Sequence, residues 1–144
     1  MKKKLPNLLE KQPIFIDAKK QILSDWMSYD SPREILSLHK IDVQSFLYEY
    51  ADGVFDYFMG VISDKVEIGE CPVMKSLLEY LKDRNISADE VFEICTHFRK
   101  AMIYFTYDKM LNSKELFDEM SFNFDKNLKG ILKYYTDTIF HKEQ

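Results

Sequence analysis

Two side chains that could form a nucleophile–base pair, Cys95 and His97, lie two residues apart in the chain. In a helix that spacing turns them about 200° away from each other, so the thiol and the imidazole are not expected to meet. Cys95 also belongs to a series of apolar positions, which predicts a buried structural thiol. Cys71 precedes a predicted helix, where a thiol pKa is lowered, so it is the cysteine open to a redox role.

The histidines give no strong metal-binding pattern. A di-iron bundle site needs Glu-x-x-His on two helices, whereas Glu93 precedes His97 by four residues. His97 lies about 100° from the centre of the predicted apolar face, so we expect a boundary residue and no cofactor. A haem-binding or small-molecule-binding globin-type sensor with His97 as the ligand is kept as an alternative hypothesis. His39, near a predicted helix end, is expected to cap that end or to hydrogen-bond a backbone carbonyl.

The acidic residues Glu49, Asp52 and Asp56 follow helical spacing and resemble a catalytic cluster. A solvent-exposed helix face is the more ordinary explanation, because no histidine or metal ligand accompanies them. The four glycines are scattered, and neither a phosphate-binding loop nor a serine-nucleophile motif is present. We therefore expect a protein that is not an enzyme.

The elements that would position these residues are predicted to be helices. Hydrophobic residues make up 46% of the 144 residues and aromatic residues 15%, while Gly and Pro number only four each. So few helix breakers favour an all-α domain. The net charge of −4 and the absence of a basic stripe argue against nucleic acid. No run of about twenty apolar residues predicts a membrane span, and two unpaired cysteines suit a reducing cytoplasm.

Apolar residues at intervals of three and four predict five main helices and one or two short ones, which suits a globin-like or bundle-like single domain. Two capping boxes, Ser31–Glu34 and Ser87–Glu90, and a capping Asp42 mark helix starts. The predicted ranges are about Leu5–Lys11, Ile14–Met27, Pro32–His39, Val43–Asp64, Pro72–Arg84, Ala88–Leu111 and Lys114–Phe140, with Pro13 separating the first two.

The helix after Asp42 carries apolar residues on two sides, which predicts contacts on two sides. Its second stripe is the candidate ligand-binding or interface surface, and a stand-alone adaptor that binds a partner protein through it is a further alternative. The stripe consists of Tyr48, Phe55, Met59 and Ile62.

The last predicted helix is the candidate for signal relay, because its apolar positions follow heptad spacing and no Gly or Pro ends it. We expect the natural protein to continue beyond Gln144, with this chain as the N-terminal part of a longer signalling protein. The stripe comprises Phe117, Met120, Phe124, Leu128, Ile131, Tyr135 and Thr138.

Four segments resemble the N-terminal sensory domains of stressosome RsbR-type proteins and related bacterial kinases and cyclases. These segments are Ile22–Trp26, Leu77–Leu81, Asn85–Val91 and His97–Met102. The resemblance implies a globin-like helical domain without haem, often a homodimer, placed before an output domain. We therefore expect a non-catalytic sensory or regulatory domain of a bacterial signal-transduction protein. A ligand or partner would change its packing, and the last helix would relay that change.

Overall fold

Helices joined by short turns make up the described part of the chain, residues 4–62 and 70–140 of a computed structural model, with Val61 described by its backbone alone. No strand occurs among these residues, so the predicted all-α fold class is confirmed. The predicted helix end at Asp64 lies outside them. The helices are α1 Pro6–Asp17, α2 Lys19–Trp26, α3 Asp30–Leu38, α4 Val43–Phe46, α5 Asp52–Ile62, α6 Pro72–Asp83, α7 Ala88–Asp108 and α8 Lys114–Tyr134.

Two π-helical segments extend these helices. Leu47–Ala51 joins α4 to α5 into one continuous rod, and Tyr135–Ile139 prolongs α8. The long helix predicted after Asp42 and the last helix predicted from Lys114 are both confirmed. Their regular α-helical hydrogen bonding is interrupted, which the apolar spacing did not predict.

The first helix runs through Pro13, so the predicted break at that residue is wrong. A proline inside a helix removes one backbone donor and is normally disfavoured. Leu8 and Phe15, on either side of Pro13, are both buried, and Gln12 Nε2 donates to Met59 O at 2.8 Å. These contacts hold both halves of α1 on the core, and the chain turns at Ala18 instead.

Three helix starts test the predicted caps. Ser87 and Glu90 form the predicted capping box, and Asp42 accepts a hydrogen bond from Ser45 N at 2.9 Å. The box at Ser31 is wrong, because α3 begins at Asp30, two residues before the predicted start at Pro32, and has no side-chain cap. Ser31 Oγ instead donates to Glu93 Oε2 of α7 at 3.2 Å, so a tertiary contact takes the hydroxyl that the local pattern assigned to the helix end.

The ends of α3, α6 and α7 share one stop motif. Lys40, Asn85 and Met110 adopt left-handed backbone angles, with φ between 58° and 66°. The amide of the following residue then donates to the carbonyl five residues before it, as in Ile86 N to Leu81 O at 3.0 Å. This Schellman geometry fixes the direction in which the chain leaves each helix.

One hydrophobic core unites the described helices. Helix α7 lies at its centre and packs against α2, α3 and α8, while α8 also contacts α1 and α5. The apolar series to which Cys95 belongs is buried along α7: Val91, Ile94, Cys95, Phe98, Met102 and Phe105. No helix in the described ranges is long and apolar enough to cross a membrane.

Gly53 allows α5 to approach α6 closely. A Cβ atom there would overlap Val73 Cγ1 and lie 3.2 Å from Val73 Cβ, whereas a Cβ atom at Gly130 meets nothing within 4 Å. We expect Gly53→Ala to lower the free energy of unfolding by about 1–2 kcal/mol, because overpacking against a stiff β-branched side chain outweighs the better helix propensity of alanine. We expect Gly130→Ala to raise it by about 0.5–1 kcal/mol. Urea titration of both variants checks this, and a change of the same sign in both would refute the close contact.

Candidate functional site

The buried polar side chains of the described residues serve structural roles. Thr106 Oγ1 donates to Ile103 O at 2.6 Å within its own helix. Glu119 accepts hydrogen bonds from Leu8 N, at 3.0 Å, and from Asn7 Nδ2. Asn123 accepts from Asn127 Nδ2 at 3.2 Å. These groups lie on separate hydrogen-bond pairs and do not meet at one reacting centre.

Cys95 and His97 point to different environments, as the sequence predicted. Cys95 is buried in apolar surroundings, and this burial raises the pKa of its thiol to about 12, which keeps it protonated. His97 Nδ1 lies 2.8 Å from Glu93 O of its own helix, and its ring packs against Tyr29 at 5.6 Å between centroids. His97 thus occupies a boundary position, which does not favour the haem alternative. In residues 4–62 and 70–140, no three His, Cys, Asp or Glu side chains converge as metal ligands.

The acidic row forms the predicted exposed helix face and is partly neutralised. Lys19 Nζ bridges two of its members, at 2.8 Å from Asp52 Oδ1 and 3.0 Å from Asp56 Oδ1. Burial lowers the pKa of Lys19, but the hydrogen bonds and negative charges of the two aspartates outweigh it, so the pKa is raised overall. The row therefore ties α2 to α5 through a cation.

The four candidate ligand or interface residues do not share a surface. Tyr48 is 89% exposed, whereas Phe55, Met59 and Ile62 are buried in the core. The π-helical segment Leu47–Ala51, which contains Tyr48 and precedes Phe55, explains the separation. A π turn takes more residues than an α turn, so it rotates the following side chains by roughly a quarter-turn relative to the predicted register. Phe55, Met59 and Ile62 thus belong to the core of this domain, and of the four candidate residues only Tyr48 is exposed.

Large aromatic side chains fill the core and leave little empty space. Met59 and Ile62 line a cleft of about 30 Å³ together with Phe58 and Phe98, and Cys95 lines a second apolar cavity of about 20 Å³. Each has room for about one or two water molecules, whereas pockets for drug-sized ligands reach roughly 300–1,000 Å³. The aromatic residues here act as core packing.

The residues predicted for signal relay form one buried seam along α8 and its extension. Phe124, Leu128, Ile131 and Tyr135 are all buried. Phe117, predicted to belong to the same stripe, is 46% exposed, and the neighbouring Leu116 occupies the buried position. The apolar spacing therefore identifies the inward face from Met120 to Tyr135. It misplaces the first member of the stripe by one residue, and also the last, because Thr138 is half-buried and the neighbouring Ile139 is buried.

The turn between α6 and α7, residues 84–87, is held by side chains from two distant elements. His39, at the end of α3, places Nδ1 2.8 Å from Arg84 O and Nε2 2.9 Å from Glu90 Oε2. The predicted hydrogen bond from His39 to a backbone carbonyl is thus confirmed. The contact with Glu90, which also belongs to the capping box at Ser87, was not predicted.

The second contact with this turn comes from the buried seam of α8 and its extension. Tyr135 is fully buried, and its hydroxyl donates to Ile86 O at 2.6 Å. Burial raises the pKa of Tyr135, and the negative charges of Glu90 and Asp83 raise it further, so the phenol remains a hydrogen-bond donor. We call residues 84–87, together with His39, Glu90 and Tyr135, the junction. It is the place where α3, α6, α7 and the last helix meet through polar contacts.

Comparison of the chain with protein-family models, with curated proteins and with solved structures finds no match. The geometry of the junction is the basis for a functional proposal.

The sequence contained part of the information needed to find the junction. The Ser87–Glu90 box and the helix end at Asn85 mark the turn, and Tyr135 belongs to the predicted seam. The pairing of Tyr135 with Ile86 has no local signal, because the two residues are 49 positions apart.

Proposed function

We propose that this chain is a non-catalytic sensory or regulatory domain that relays a change of packing through its C-terminal helix. The observation that carries the proposal is the hydrogen bond from Tyr135 Oη to Ile86 O, which joins the π-helical end of α8 to the α6–α7 turn. Because the contact is buried, a shift of the turn has to move the end of the last helix or break this bond.

The π-helical segments support a conformational role. Segments of this kind are uncommon, tend to occur at functional sites and interrupt regular hydrogen bonding. The segment Tyr135–Ile139 follows the buried seam and contains the tyrosine that contacts the turn. A helix end that departs from α geometry can exchange between two hydrogen-bond patterns at small cost, which is what a two-state relay requires.

The proposal includes a cellular setting that rests on the resemblance of four segments to RsbR-type sensory domains. In this setting the chain is a globin-like, cytoplasmic domain of a bacterial signalling protein, forms a homodimer and acts on an output domain or partner protein. Sedimentation analysis over a range of concentrations tests the dimer, and a monomer at every concentration would refute it.

The relay is tested by ¹⁵N relaxation dispersion, which reports exchange between conformations on the microsecond to millisecond timescale. We expect the amides of residues 84–87 and 135–139 to share one exchange process. Tyr135→Phe removes the connecting bond, worth about 1 kcal/mol, and is expected to change the population ratio about fivefold. Tyr134→Phe makes the same change on a half-buried neighbouring ring and should change the ratio less than twofold. Absence of exchange, or unrelated rates in the two segments, would refute the relay.

A further inference from the structure

The His39 ring is surrounded by acceptors at both of its nitrogen atoms. Nδ1 lies 2.8 Å from the carbonyl oxygen of Arg84, and Nε2 lies 2.9 Å and 3.0 Å from the two carboxylate oxygens of Glu90. A neutral imidazole has one donor nitrogen and one acceptor nitrogen, whereas an imidazolium has two donors. Both contacts are therefore satisfied only when the ring carries two protons.

Glu90 is held as an ionised carboxylate, the form that accepts a hydrogen bond from a protonated His39 Nε2. Its Oε1 atom accepts a hydrogen bond from Ser87 N at 2.9 Å in the capping box at the start of α7. Burial raises the pKa of Glu90, but the hydrogen bonds from Ser87 and His39 and the charge of His39 outweigh it, so the pKa is lowered overall. The carboxylate thus remains ionised below the ordinary range of a glutamate and presents a negative charge to the ring.

Other charged groups near the ring come from the ends of α3 and α6. Lys40 and Asp83 line the same open cleft as His39. The Arg84 guanidinium donates to Lys40 O at 3.4 Å and lies 5.2 Å from the centre of the Tyr80 ring. Lys40 and Arg84 disfavour a second proton on the ring and Asp83 favours it, but Glu90 is the group in direct contact.

We propose that His39 is a proton-operated latch between α3 and the α6–α7 turn, closed when its ring carries two protons. Loss of the Nε2 proton leaves two lone pairs facing each other and removes a charge-assisted hydrogen bond. The neutral ring keeps only one of its two contacts, with Arg84 O or with Glu90, so its hold on the turn that Tyr135 contacts weakens and rising pH loosens the end of the last helix. This last step rests on the proposed relay, whereas the latch itself does not.

The stability of the folded protein depends on pH because its contacts at His39 favour the ring with two protons. The latch contributes stability that is present while the ring carries two protons and is lost as rising pH removes the second proton. On the acid side, the contribution is lost when Glu90 is protonated, which its lowered pKa places below the ordinary range of a glutamate. The latch is therefore strongest in mildly acidic solution.

Urea unfolding at pH 5.5 and pH 8.5 tests the latch, with His39→Gln as the variant and His97→Gln as the matched control. His97 also contacts a glutamate and a backbone carbonyl, but both belong to Glu93 of its own helix. We expect the unfolding equilibrium constant to rise from pH 5.5 to pH 8.5 in the wild type, and this rise to be about tenfold larger than the rise in His39→Gln. His97→Gln should keep most of that rise. An equal pH dependence in His39→Gln and the wild type would overturn the latch.

A measurement on the unmodified protein removes any dependence on how the variants fold. Long-range ¹H–¹⁵N spectra of the imidazole rings should show two ring N–H groups on His39 at pH 5.5 and one at pH 8.5, and a neutral ring at pH 5.5 would overturn the latch. Protection factors for the amides of residues 136–139, which correct for the intrinsic rise of amide exchange with pH, separate the two proposals. Lower protection at pH 8.5 than at pH 5.5 supports both, whereas unchanged protection beside a His39 ring that loses its second proton supports the latch and refutes the relay.

Discussion

Phe98→Ala is expected to lower the free energy of unfolding by about 3–5 kcal/mol, the largest effect of any substitution proposed for this chain. Phe98 is 1% exposed, and its ring contacts those of Trp26 at 5.0 Å and Phe58 at 5.2 Å between centroids. Truncation removes these contacts and enlarges the cleft that Phe98 already lines. Because most domains of this size are stable by only about 5–15 kcal/mol, the variant should be near the limit of folding.

Phe92→Ala is the matched control, since Phe92 lies on the same helix and is 46% exposed. This substitution should lower the free energy of unfolding by less than about 1 kcal/mol, because truncation of a half-exposed ring removes few buried contacts. Urea titration followed by circular dichroism measures both variants. Similar losses in the two would show that position on α7, and not burial in the aromatic cluster, determines the effect.

Glu119→Ala is expected to lower the free energy of unfolding by about 2 kcal/mol and to detach α1 first. Helix α1 has no side-chain cap of its own, and Glu119 of α8 supplies one by accepting the hydrogen bond from Leu8 N in its first turn. Its carboxylate also faces the positive end of the helix dipole. Removal leaves a buried backbone donor without its partner, which costs about 1–3 kcal/mol.

Hydrogen exchange resolved by helix checks where this loss occurs. The amides of α1 should exchange faster in Glu119→Ala, while those of α7 should change only as far as global stability changes. Glu115→Ala removes an exposed acid from the first turn of α8 and should cost about 0.5 kcal/mol or less. Glu119→Gln keeps one acceptor oxygen and should retain part of the cap. Equal exchange rates in α1 of all three variants would contradict this role of Glu119.

The later helices were predictable because local signals agreed along the chain. In α6 and α7, a start signal, a regular apolar face and an identifiable end coincide, as in α7, where Ser87 caps the first turn and Met102 and Phe105 continue the buried face. When capping, periodicity and termination favour the same boundaries, tertiary contacts have little reason to change them.

The errors occurred where a tertiary contact outweighed a local preference. Pro13 did not end its helix, because packing of Phe15 and the hydrogen bond from Gln12 outweigh the missing backbone donor. Ser31 donates its hydroxyl to Glu93 and does not cap its helix. Tyr48 left the stripe of Phe55 because a π-helical segment changed the angular register, and apolar spacing read at a constant 100° per residue cannot detect such a change.

The sequence by itself determined the helical class, most boundaries after Asp42 and the inward residues of the long helices, since these depend on the 3.6-residue period and on groups within four positions of each other. Only the tertiary structure decided the junction. Its contacts join His39 to Glu90, 51 positions apart, and Tyr135 to Ile86, 49 apart. Contacts over such separations depend on how whole helices cross, and crossing angles are determined by the packing of many side chains at once and not by any local pattern.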